Sequence, residues 1–252
     1  MRLLNYDKLA SEIISWIKAY LKSANAERVV LGLSGGIDSA VTAALCVKAV
    51  GALNVLAVYL PCESGSQDLV DAKLVAKTLG IKLKIVDLTS TYHEFLKIIS
   101  TKIESTDMAN ANLKPRLRMM TLYYIGQSVG NCLVAGTGNR AELAIGYFTK
   151  YGDGGVDFEP IGMLYKSEVR KIAKLLGLPD KIIEKPPSPG LWLGQTDEGE
   201  IGLLYDTIDK ILYRIDYNLG FEGLNTSDIE KVKNMMKLAE HKLKIPPMYR
   251  VN

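Results

Sequence analysis

Residues 29–40 read VVLGLSGGIDSA and join an apolar run to a glycine-rich turn and then to the start of a helical pattern. The apolar run lacks polar alternation, which is typical of a parallel strand covered on both faces. Gly35 and Gly36 allow a tight turn and the close approach of a ligand to the backbone. The hydroxyls of Ser34 and Ser39, with the first amides of the helix, can donate hydrogen bonds to phosphate oxygens. The stretch therefore predicts an anion site between a strand and a helix.

Asp38 adds a carboxylate to this predicted anion site. A carboxylate beside a polyphosphate is repelled unless a cation bridges the two, and Mg²⁺ prefers one or two carboxylates together with phosphate oxygens. Asp38 therefore predicts magnesium. The turn lacks the lysine of GxxxxGK[ST], which disfavours γ-phosphate transfer of the kinase or GTPase type. The alternative is a plain turn with Asp38 or Ser34 as a helix N-cap, but capping accounts for one residue and not for the whole SGGIDS string.

The rest of the chain repeats the alternation of strand and helix. Further buried strands are predicted in NVLAVYL at 54–60, KLKIVDL at 82–88 and NCLVAGT at 131–137. Helices are predicted from Asp7 to about Ala24, at 38–50, 67–80, 116–129 and 166–177, and twice between Ile201 and Lys244. This order predicts an α/β fold with a doubly wound, mostly parallel sheet flanked by helices, followed by C-terminal helices. Ligands of such a sheet bind at the carboxyl ends of its strands.

Composition limits the classes of function. The 252 residues favour a single domain spanning 1–252, with two small domains as the alternative. The 31 basic and 28 acidic residues leave a net charge of only +3, so nucleic acid is not an expected partner. Three widely spaced cysteines predict neither a disulfide framework nor a CxxC zinc site and fit a reducing cytoplasm. Charges throughout the N-terminal helical pattern argue against a secretory signal and a membrane span.

Two stretches rich in glycine or proline lack regular periodicity. The first is YFTKYGDGGVDFEPIG at 147–162, which we expect to be a loop with a function. The second is EKPPSPGLWLGQTDEGEIG at 184–202, which is long for a connector. We expect this second stretch to be irregular and to be a candidate lid that shields a reactive intermediate from water between Lys185 and Glu200.

The SGGIDS string resembles the pyrophosphate-binding loop of the N-type ATP pyrophosphatases, which have an adenine nucleotide alpha hydrolase-like fold. Within that superfamily, four further segments resemble the NAD synthetase family in their order and spacing. They are NLKPRLRMM at 112–120, GTGNRAE at 136–142, YFTKYGDGGVDFEPIGMLYKSEV at 147–169 and HK at 241–242. The resemblance covers most of the chain, and the third segment is the most specific.

The resemblance implies a role for each matching residue. The implied ATP-binding residues are Gly32, Leu33, Ser34, Gly35, Gly36, Ile37, Asp38, Ser39, Thr137, Lys166 and Ser188. The implied magnesium ligands are Asp38 and Glu142, and the implied catalytic residues are these two and Lys166. The implied contacts to deamido-NAD (nicotinic acid adenine dinucleotide) are Arg116, Lys150, Asp157, His241 and Lys242.

The resemblance also implies the reaction, that of a ligase forming a carbon–nitrogen bond. ATP adenylates the carboxylate of deamido-NAD with release of pyrophosphate, and ammonia then displaces AMP to give NAD, the final step of NAD biosynthesis. Glutamine-dependent relatives carry an additional amidase domain, whereas only about 33 residues precede the glycine-rich loop here, so free ammonia is the expected donor. The family further implies a homodimer that binds deamido-NAD at a subunit interface. The expected location is cytoplasmic, from the cysteines, and no membrane partner is expected.

Ordinary interpretations of these residues remain open. Glu142, Arg140, Lys150, Lys166 and Arg116 could each be a solvent-facing residue, and His241 with Lys242 could belong to a solvated helix. The chain departs from the family pattern in two places, although the GTGN form also occurs in the family. Many bacterial relatives carry Asp-His where this chain has Asn139-Arg140, which leaves the role of that pair open. A threonine contact to ATP is replaced by Ser188, which keeps the hydroxyl.

Two other functions compete with this interpretation. GTGNRA at 136–141 fits GxGxxG/A, the pattern of an NAD(P)-dependent oxidoreductase or a passive dinucleotide-binding module. The second strand with its ribose-binding acid is missing, however, because Asp157 falls at that distance inside a glycine-rich loop. The other competitor is an enzyme that thiolates or amidates tRNA or a nucleotide. Such enzymes favour paired cysteines, a zinc cluster or an RNA-binding extension, which this sequence lacks.

Overall fold

The four apolar runs form one parallel sheet. The structure is a computed structural model and describes residues 4–187 and 196–251. Its strands are β1 (Arg28–Gly32), β2 (Val55–Tyr59), β3 (Leu83–Ile85) and β4 (Cys132–Val134). In the sheet they lie in the order β3-β2-β1-β4. All three pairings are parallel, with Val29 opposite Val55 on one side and opposite Leu133 on the other. The predicted parallel α/β sheet is confirmed.

Helices cover both faces of this sheet. In chain order they are α1 (Tyr6–Ser23), α2 (Ile37–Val50), α3 (Ser66–Leu79), α4 (Thr89–Ser100), α5 (Asp107–Val129), α6 (Arg140–Ile145), α7 (Lys166–Leu175), α8 (Asp180–Ile183), α9 (Asp197–Ile201), α10 (Tyr205–Asp216) and α11 (Thr226–Leu243). The predicted N-terminal helix and the two predicted C-terminal helices correspond to α1, α10 and α11. In the described part of the chain, no helix combines the length and the apolar character needed to cross a bilayer.

Successive strand residues pack on opposite faces, as a sheet covered twice requires. Val29 and Leu31 of β1 pack with α1, α2 and α7 in one cluster, whereas Val30 packs against α5 in another. All three side chains are fully buried. Burying an aliphatic side chain of this size contributes about 1.5–3 kcal/mol, so the alternation fixes the register of the sheet. A third apolar cluster joins α6, α10 and α11.

The local structure differs from the sequence predictions in three ways. The stretch 184–202 is not irregular throughout, because α9 forms within it. Thr196 caps this helix by accepting a hydrogen bond from the Gly199 amide, and acidic residues favour the first turn of a helix. Helix α5 begins at Asp107 rather than at 116 and contains Pro115 in its interior. Helices α4, α6 and α8 have no counterparts among the predicted elements.

The strand order creates the ligand-binding edge. From β1 the chain moves outward to β2 and β3, and it then returns to place β4 on the other side of β1. The loops that leave β1 and β4 therefore diverge at the carboxyl end of the sheet. A crevice at such a switch point is where open α/β sheets bind their ligands. The SGGIDS turn follows β1, and GTGNRAE follows β4.

Candidate active site

The turn after β1 has a backbone that only glycine can adopt at its centre. Gly35 has a φ of +82°, and a Cβ added there would lie 2.7 Å from the Asp68 carbonyl oxygen and 2.9 Å from the Ala72 amide nitrogen. Gly36 precedes α2 as its N-cap, and no side chain caps that helix. The first amides of α2 are therefore available to an anion. The sequence prediction of a tight glycine turn is confirmed.

The two serines of the turn brace each other. Their hydroxyl oxygens lie 3.0 Å apart, and the Ser39 hydroxyl donates to the Gly36 carbonyl at 3.0 Å. The Ser34 hydroxyl accepts from the Gly36 amide at 3.2 Å. These bonds hold the turn in shape before any ligand arrives, which lowers the ordering cost of binding.

Lys166 lies between two carboxylates at the switch point. Its Nζ is 2.7 Å from Oδ2 of Asp38, at the start of α2, and 3.2 Å from Oε1 of Glu142, in α6. Lys166 begins α7 and is only 1% exposed. The structure thus brings together the three predicted catalytic residues from three separate helices. A surface role for Lys166 is excluded by its burial.

Burial and charge shift the titration of this cluster. Burial would lower the pKa of Lys166, but Asp38 and Glu142 outweigh it, so the net shift is upward and the ammonium stays charged. Burial raises the pKa of Glu142 to about 7, with Lys166 opposing the shift and Asp38 adding to it. Without a further cation, one positive charge serves two acids.

Asn139 forms hydrogen bonds with both carboxylates of the cluster. It is fully buried and is the N-cap of α6, where its side-chain oxygen accepts from the Glu142 amide and its own amide donates to the Glu142 carboxylate. Its Nδ2 also donates to Oδ1 of Asp38 at 3.0 Å. The neighbouring Arg140 points elsewhere and forms a two-point ion pair with Asp216.

Two further residues contact the cluster but carry no sequence signal. The Tyr205 hydroxyl lies 3.2 Å from Oε1 of Glu142 and donates to Oδ2 of Asp197 at 2.7 Å. The Lys166 ammonium lies 4.7 Å from the centre of the Tyr205 ring. Asp197 is buried, and burial raises its pKa. Its position in the proline- and glycine-rich stretch concealed it, because that stretch has no periodicity to place it.

Asp38, Glu142, Lys166 and Asp197 line one cavity of about 510 Å³. Its walls include the following residues of the predicted ATP site: Gly32, Leu33, Ser34, Gly36, Ile37, Asp38, Ser39, Thr137 and Lys166. Gly35 shapes the turn from behind rather than lining the cavity. Ser188 lies outside the described residues. Arg118 and Lys185 also line the cavity, and sequence reasoning missed both.

The predicted deamido-NAD contacts fall into three places. Arg116 reaches the carbonyl oxygen of Lys150 at 3.4 Å, and the Lys150 ammonium donates to the carbonyl oxygen of His241 at 2.8 Å. These three therefore form one group at the surface. Lys242 lines the cavity and donates to two backbone carbonyls of the loop after α6. Asp157 lies apart, beneath β4, where its carboxylate accepts from the Tyr123 hydroxyl and the Val134 amide.

The donor set can hold magnesium. Asp38 and Glu142 offer two carboxylates that converge on one buried position, which Lys166 contacts. Within residues 4–187 and 196–251, no group of three or more acidic, histidine or cysteine side chains is arranged as a metal site. A pair of carboxylates completed by phosphate oxygens is how Mg²⁺ is usually held in nucleotide sites. The fit therefore depends on a bound polyphosphate.

A glycine-rich anion turn beside an acid–lysine–acid cluster, at the switch point of a parallel sheet, defines a nucleotide-binding α/β enzyme. The family model described as NAD synthase matches residues 9–246. The chain therefore belongs to the NAD synthase family, whose enzymes are ligases that form a carbon–nitrogen bond. The resemblance inferred from the motifs is confirmed.

Individual relatives are similar to this chain over nearly their full length. The chain is 45% identical to the NH(3)-dependent NAD(+) synthetase of Archaeoglobus fulgidus, covering 98% of both chains. It is 46% identical to the protein of that name from Carboxydothermus hydrogenoformans, covering 96% of this chain and 97% of the other. Among solved structures, an NMN synthetase from Francisella tularensis has a TM-score of 0.89 at 34% identity, covering 99% of this chain and 100% of the other. An NH3-dependent NAD synthetase from Campylobacter jejuni has a TM-score of 0.83 at 33% identity, covering 98% and 100%.

Proposed function

We propose that this protein is an ammonia-dependent NAD synthetase that adenylates deamido-NAD with ATP and then amidates it. The observation that carries the proposal is the buried Asp38–Lys166–Glu142 cluster beside an anion-binding turn. An oxidoreductase has no need of two carboxylates and a lysine converging on a phosphate site. The names of the full-length relatives supply the identity of the acid and the nitrogen donor.

The chemistry asks the protein for charge neutralisation and positioning. The carboxylate oxygen of deamido-NAD attacks the α-phosphorus of ATP, and the bond to the leaving pyrophosphate breaks. Lys166 neutralises the charge that builds on the pyrophosphate. Asp38 and Glu142 would hold the magnesium ion, which would supply further charge neutralisation when bound. Ammonia then attacks the acyl carbon, AMP leaves with the bonding electron pair, and the new amide loses a proton.

The nucleotide and dinucleotide contacts belong to the same proposal. The amides of α2 and the serines of the turn would bind the phosphates, with Thr137 opposite them. Arg116, Lys150 and His241 form the surface group that suits a second pair of phosphates, and Lys242 extends from it into the cavity. Asp157 and Ser188 stay predictions: the carboxylate of Asp157 is occupied within the chain, and Ser188 is outside the described residues.

A cytoplasmic homodimer completes the proposal. Arg116, Met120 and Tyr124 follow one another at four-residue spacing and share a face of α5. Met120 is 57% exposed and Tyr124 is 73% exposed, so an apolar surface adjoins a proposed substrate contact. A second subunit on this face would bring a partner surface to the dinucleotide. The three free cysteines fit a reducing compartment.

A second candidate substrate is the mononucleotide, nicotinic acid mononucleotide, with NMN as the product. It is favoured by the Francisella tularensis neighbour, which is described as an NMN synthetase and has a higher TM-score than the Campylobacter jejuni NAD synthetase. Both substrates present the same carboxylate to the same adenylating site. They differ in the adenylate half, which only the dinucleotide carries.

The test is incubation with ATP, Mg²⁺ and ammonium chloride and with either deamido-NAD or nicotinic acid mononucleotide, followed by mass detection of products. We expect NAD, AMP and pyrophosphate in equal amounts, with a higher kcat/KM for the dinucleotide. Preference for the mononucleotide would replace the substrate and keep the chemistry. Absence of AMP with both acids would overturn the proposed reaction.

A further inference from the structure

Lys185 lines the cavity from outside the acid–lysine–acid cluster. Its Nζ lies 2.9 Å from Oδ1 of Asp68 and 2.8 Å from Oδ2 of Asp71, two residues of α3. Lys185 and Asp68 both line the cavity that Asp38 and Lys166 also line. The cavity wall therefore carries a further ammonium group, which α3 holds in place.

The part of α3 that holds Lys185 also shapes the anion turn. A Cβ added at Gly35 would lie 2.7 Å from the Asp68 carbonyl oxygen and 2.9 Å from the Asp71 Cβ. The backbone that presents two acids to Lys185 is therefore packed against the backbone that presents amides to an anion. Only one hydrogen bond and one aspartate side chain separate the ammonium from that contact, so a polyphosphate in the turn lies near it.

Asp71 does not depend on Lys185 alone. Its Oδ1 lies 2.8 Å from Nζ of Lys181 and accepts from Gln67 at 2.9 Å, whereas Lys185 occupies Oδ2. Asp71 is 1% exposed, and a buried carboxylate that loses every partner is costly. Because Lys181 and Gln67 remain, Lys185 can leave Asp71 without stranding its charge. Asp68, the other partner, is partly exposed and can be hydrated instead.

The proposed reaction needs more positive charge than the cluster supplies. A triphosphate and a substrate carboxylate carry more negative charge than one Mg²⁺ and Lys166 can neutralise, and the two acids of the cluster offset part of that positive charge. Among the described residues, the other cationic side chains of the cavity wall are Lys185, Arg118 and Lys242. Arg118 donates to the Leu60 carbonyl, and Lys242 donates to two backbone carbonyls. Lys185 is the one of these three that is anchored behind the anion turn.

Within the proposed function, we propose that Lys185 binds the polyphosphate of ATP and the pyrophosphate product. It exchanges its bonds to Asp68 and Asp71 for bonds to phosphate oxygens. An ammonium group suits this exchange, because it is a compact charge with three donors on a flexible stem. In the nucleotide-free protein the two aspartates keep that ammonium in the cavity wall. Lys185 is therefore a substrate contact and not only a link between α3 and the stretch 184–202.

Lys181 offers a matched control. It lies 2.8 Å from the same Asp71 carboxylate, but it is 54% exposed and is not among the described residues that line the cavity. Lys181→Met and Lys185→Met each remove one ammonium from Asp71 and keep a long unbranched side chain. Only Lys185→Met also removes an ammonium from the cavity. Lys185→Arg keeps the charge there.

The test is isothermal titration calorimetry of the full-length protein with inorganic pyrophosphate and with AMP, both with Mg²⁺, alongside the KM for ATP. We expect Lys185→Met to weaken pyrophosphate binding and to raise the KM for ATP by ~10–100-fold, the scale of one hydrogen bond to a charged group. AMP binding should not change, because AMP lacks the two phosphates that leave. Lys185→Arg should recover most of the pyrophosphate affinity, and Lys181→Met should bind both ligands as the wild type does.

Wild-type pyrophosphate affinity in Lys185→Met would overturn the proposal. An equal loss of pyrophosphate and AMP binding would also overturn it, because Lys185 would then act only on the shape of the cavity. If Lys185→Met does not fold, Lys185→Gln, which keeps donors for the two aspartates and lacks the charge, decides the outcome with the same two ligands. Pyrophosphate binding needs no acid substrate, so the result holds even if deamido-NAD proves not to be the substrate. A wild type that binds no pyrophosphate would overturn the phosphate site of the proposed function as well.

Discussion

At the scale of single residues, a buried ammonium between two carboxylates depends on all three charges being present. Removing one partner of a buried ion pair costs about 3–5 kcal/mol, because an uncompensated charge remains. Loss of the Lys166 ammonium would therefore leave Asp38 and Glu142 as uncompensated charges in the nucleotide-free protein. In the proposed reaction, a polyphosphate and its cation would give all three side chains new partners.

Asp38→Asn should remove most of the pyrophosphate release. The substitution keeps the shape of the side chain but removes a charge that the cation and Lys166 both need. We expect kcat to fall by at least ~10²–10³-fold even at high magnesium, the scale seen when one electrostatic contact to a transition state is lost. A coupled pyrophosphate assay measures it. Asp7→Asn, in the first turn of α1, removes an equivalent helix-start charge and should change nothing; near-normal turnover in Asp38→Asn would remove Asp38 from the mechanism.

Glu159 gives the protein a dependence of stability on pH. Burial raises the pKa of Glu159 to about 8; the Gly138 amide opposes the shift, and Glu142 and Asp153 add to it. The folded state therefore keeps a proton that the unfolded state loses above its ordinary pKa, so stability falls as pH rises from about 4.5 to 8. Glu159→Gln keeps an acceptor for the Gly138 amide and cannot ionise.

We therefore expect the Tm of Glu159→Gln, relative to the wild type, to rise by several degrees between pH 5 and pH 9. One kcal/mol corresponds to ~2–4 °C in a chain of this size. Differential scanning fluorimetry across that range measures the shift. Glu104→Gln, at an exposed site, should give parallel curves. Parallel curves for Glu159→Gln as well would show that Glu159 is ionised in the folded protein at neutral pH.

The sequence predicts which residues belong to the site better than it predicts which of them contact each other. Asp38 and Lys166 are 128 positions apart, and only the fold shows that they touch. Asn139 differs from the residue common in relatives, so resemblance could not assign its bond to Asp38. Asp197 belongs to α9, which the proline-rich stretch hides, whereas Tyr205 begins α10, a predicted helix whose contacts with the site no local pattern shows. Burial and hydrogen bonding, which no local pattern encodes, decide each of these roles.

At the scale of elements, the predictions succeed where periodicity is unbroken. The strands and α2 are predominantly apolar, and their positions follow from that pattern. The predicted helix starts after Pro115, because a proline lacks an amide proton and crowds the preceding turn of a helix. The structure nevertheless continues α5 through it, since Ala111, Pro115 and Leu117 are buried. Tertiary packing outweighs the local preference there.

Gly35→Ala tests whether the anion turn depends on a close approach of backbones. Gly35 and Gly51 have φ values of +82° and +84°, but a Cβ at Gly51 meets nothing within 4 Å. Both substitutions should cost ~1–3 kcal/mol for the strained backbone. Only Gly35→Ala should also raise the KM for ATP, because its Cβ displaces α3 from the turn. Thermal unfolding measures the cost of backbone strain, and ATP titrations measure the effect of the clash with α3. If the two variants behave alike in both measurements, the contact with α3 does not matter.

At the scale of the whole molecule, the order of the strands explains why distant motifs share one cavity. β1 and β4 are neighbours although two strands and four helices separate them in the described chain. Their loops carry the anion turn and the Asn139–Glu142 cap. Helix α7, which packs on the same face of the sheet as α1 and α2, contributes Lys166. The face of α5 that carries Arg116 and Tyr124 remains open on the opposite side of the sheet from α2.

If a second subunit binds that open face, a single charged residue placed there should dissociate the dimer. Tyr124 is 73% exposed, and a buried glutamate without a partner is costly, so Tyr124→Glu should convert the dimer to a monomer in sedimentation equilibrium. Leu53→Glu is the control, because Leu53 is 93% exposed next to α2, on the other side of the sheet, and should leave the mass unchanged. If the dinucleotide is bound across the interface, Tyr124→Glu should also raise the KM for deamido-NAD more than the KM for ATP. A Tyr124→Glu protein that sediments as a dimer would place the interface elsewhere, and a wild type that sediments as a monomer would remove the dimer from the proposal.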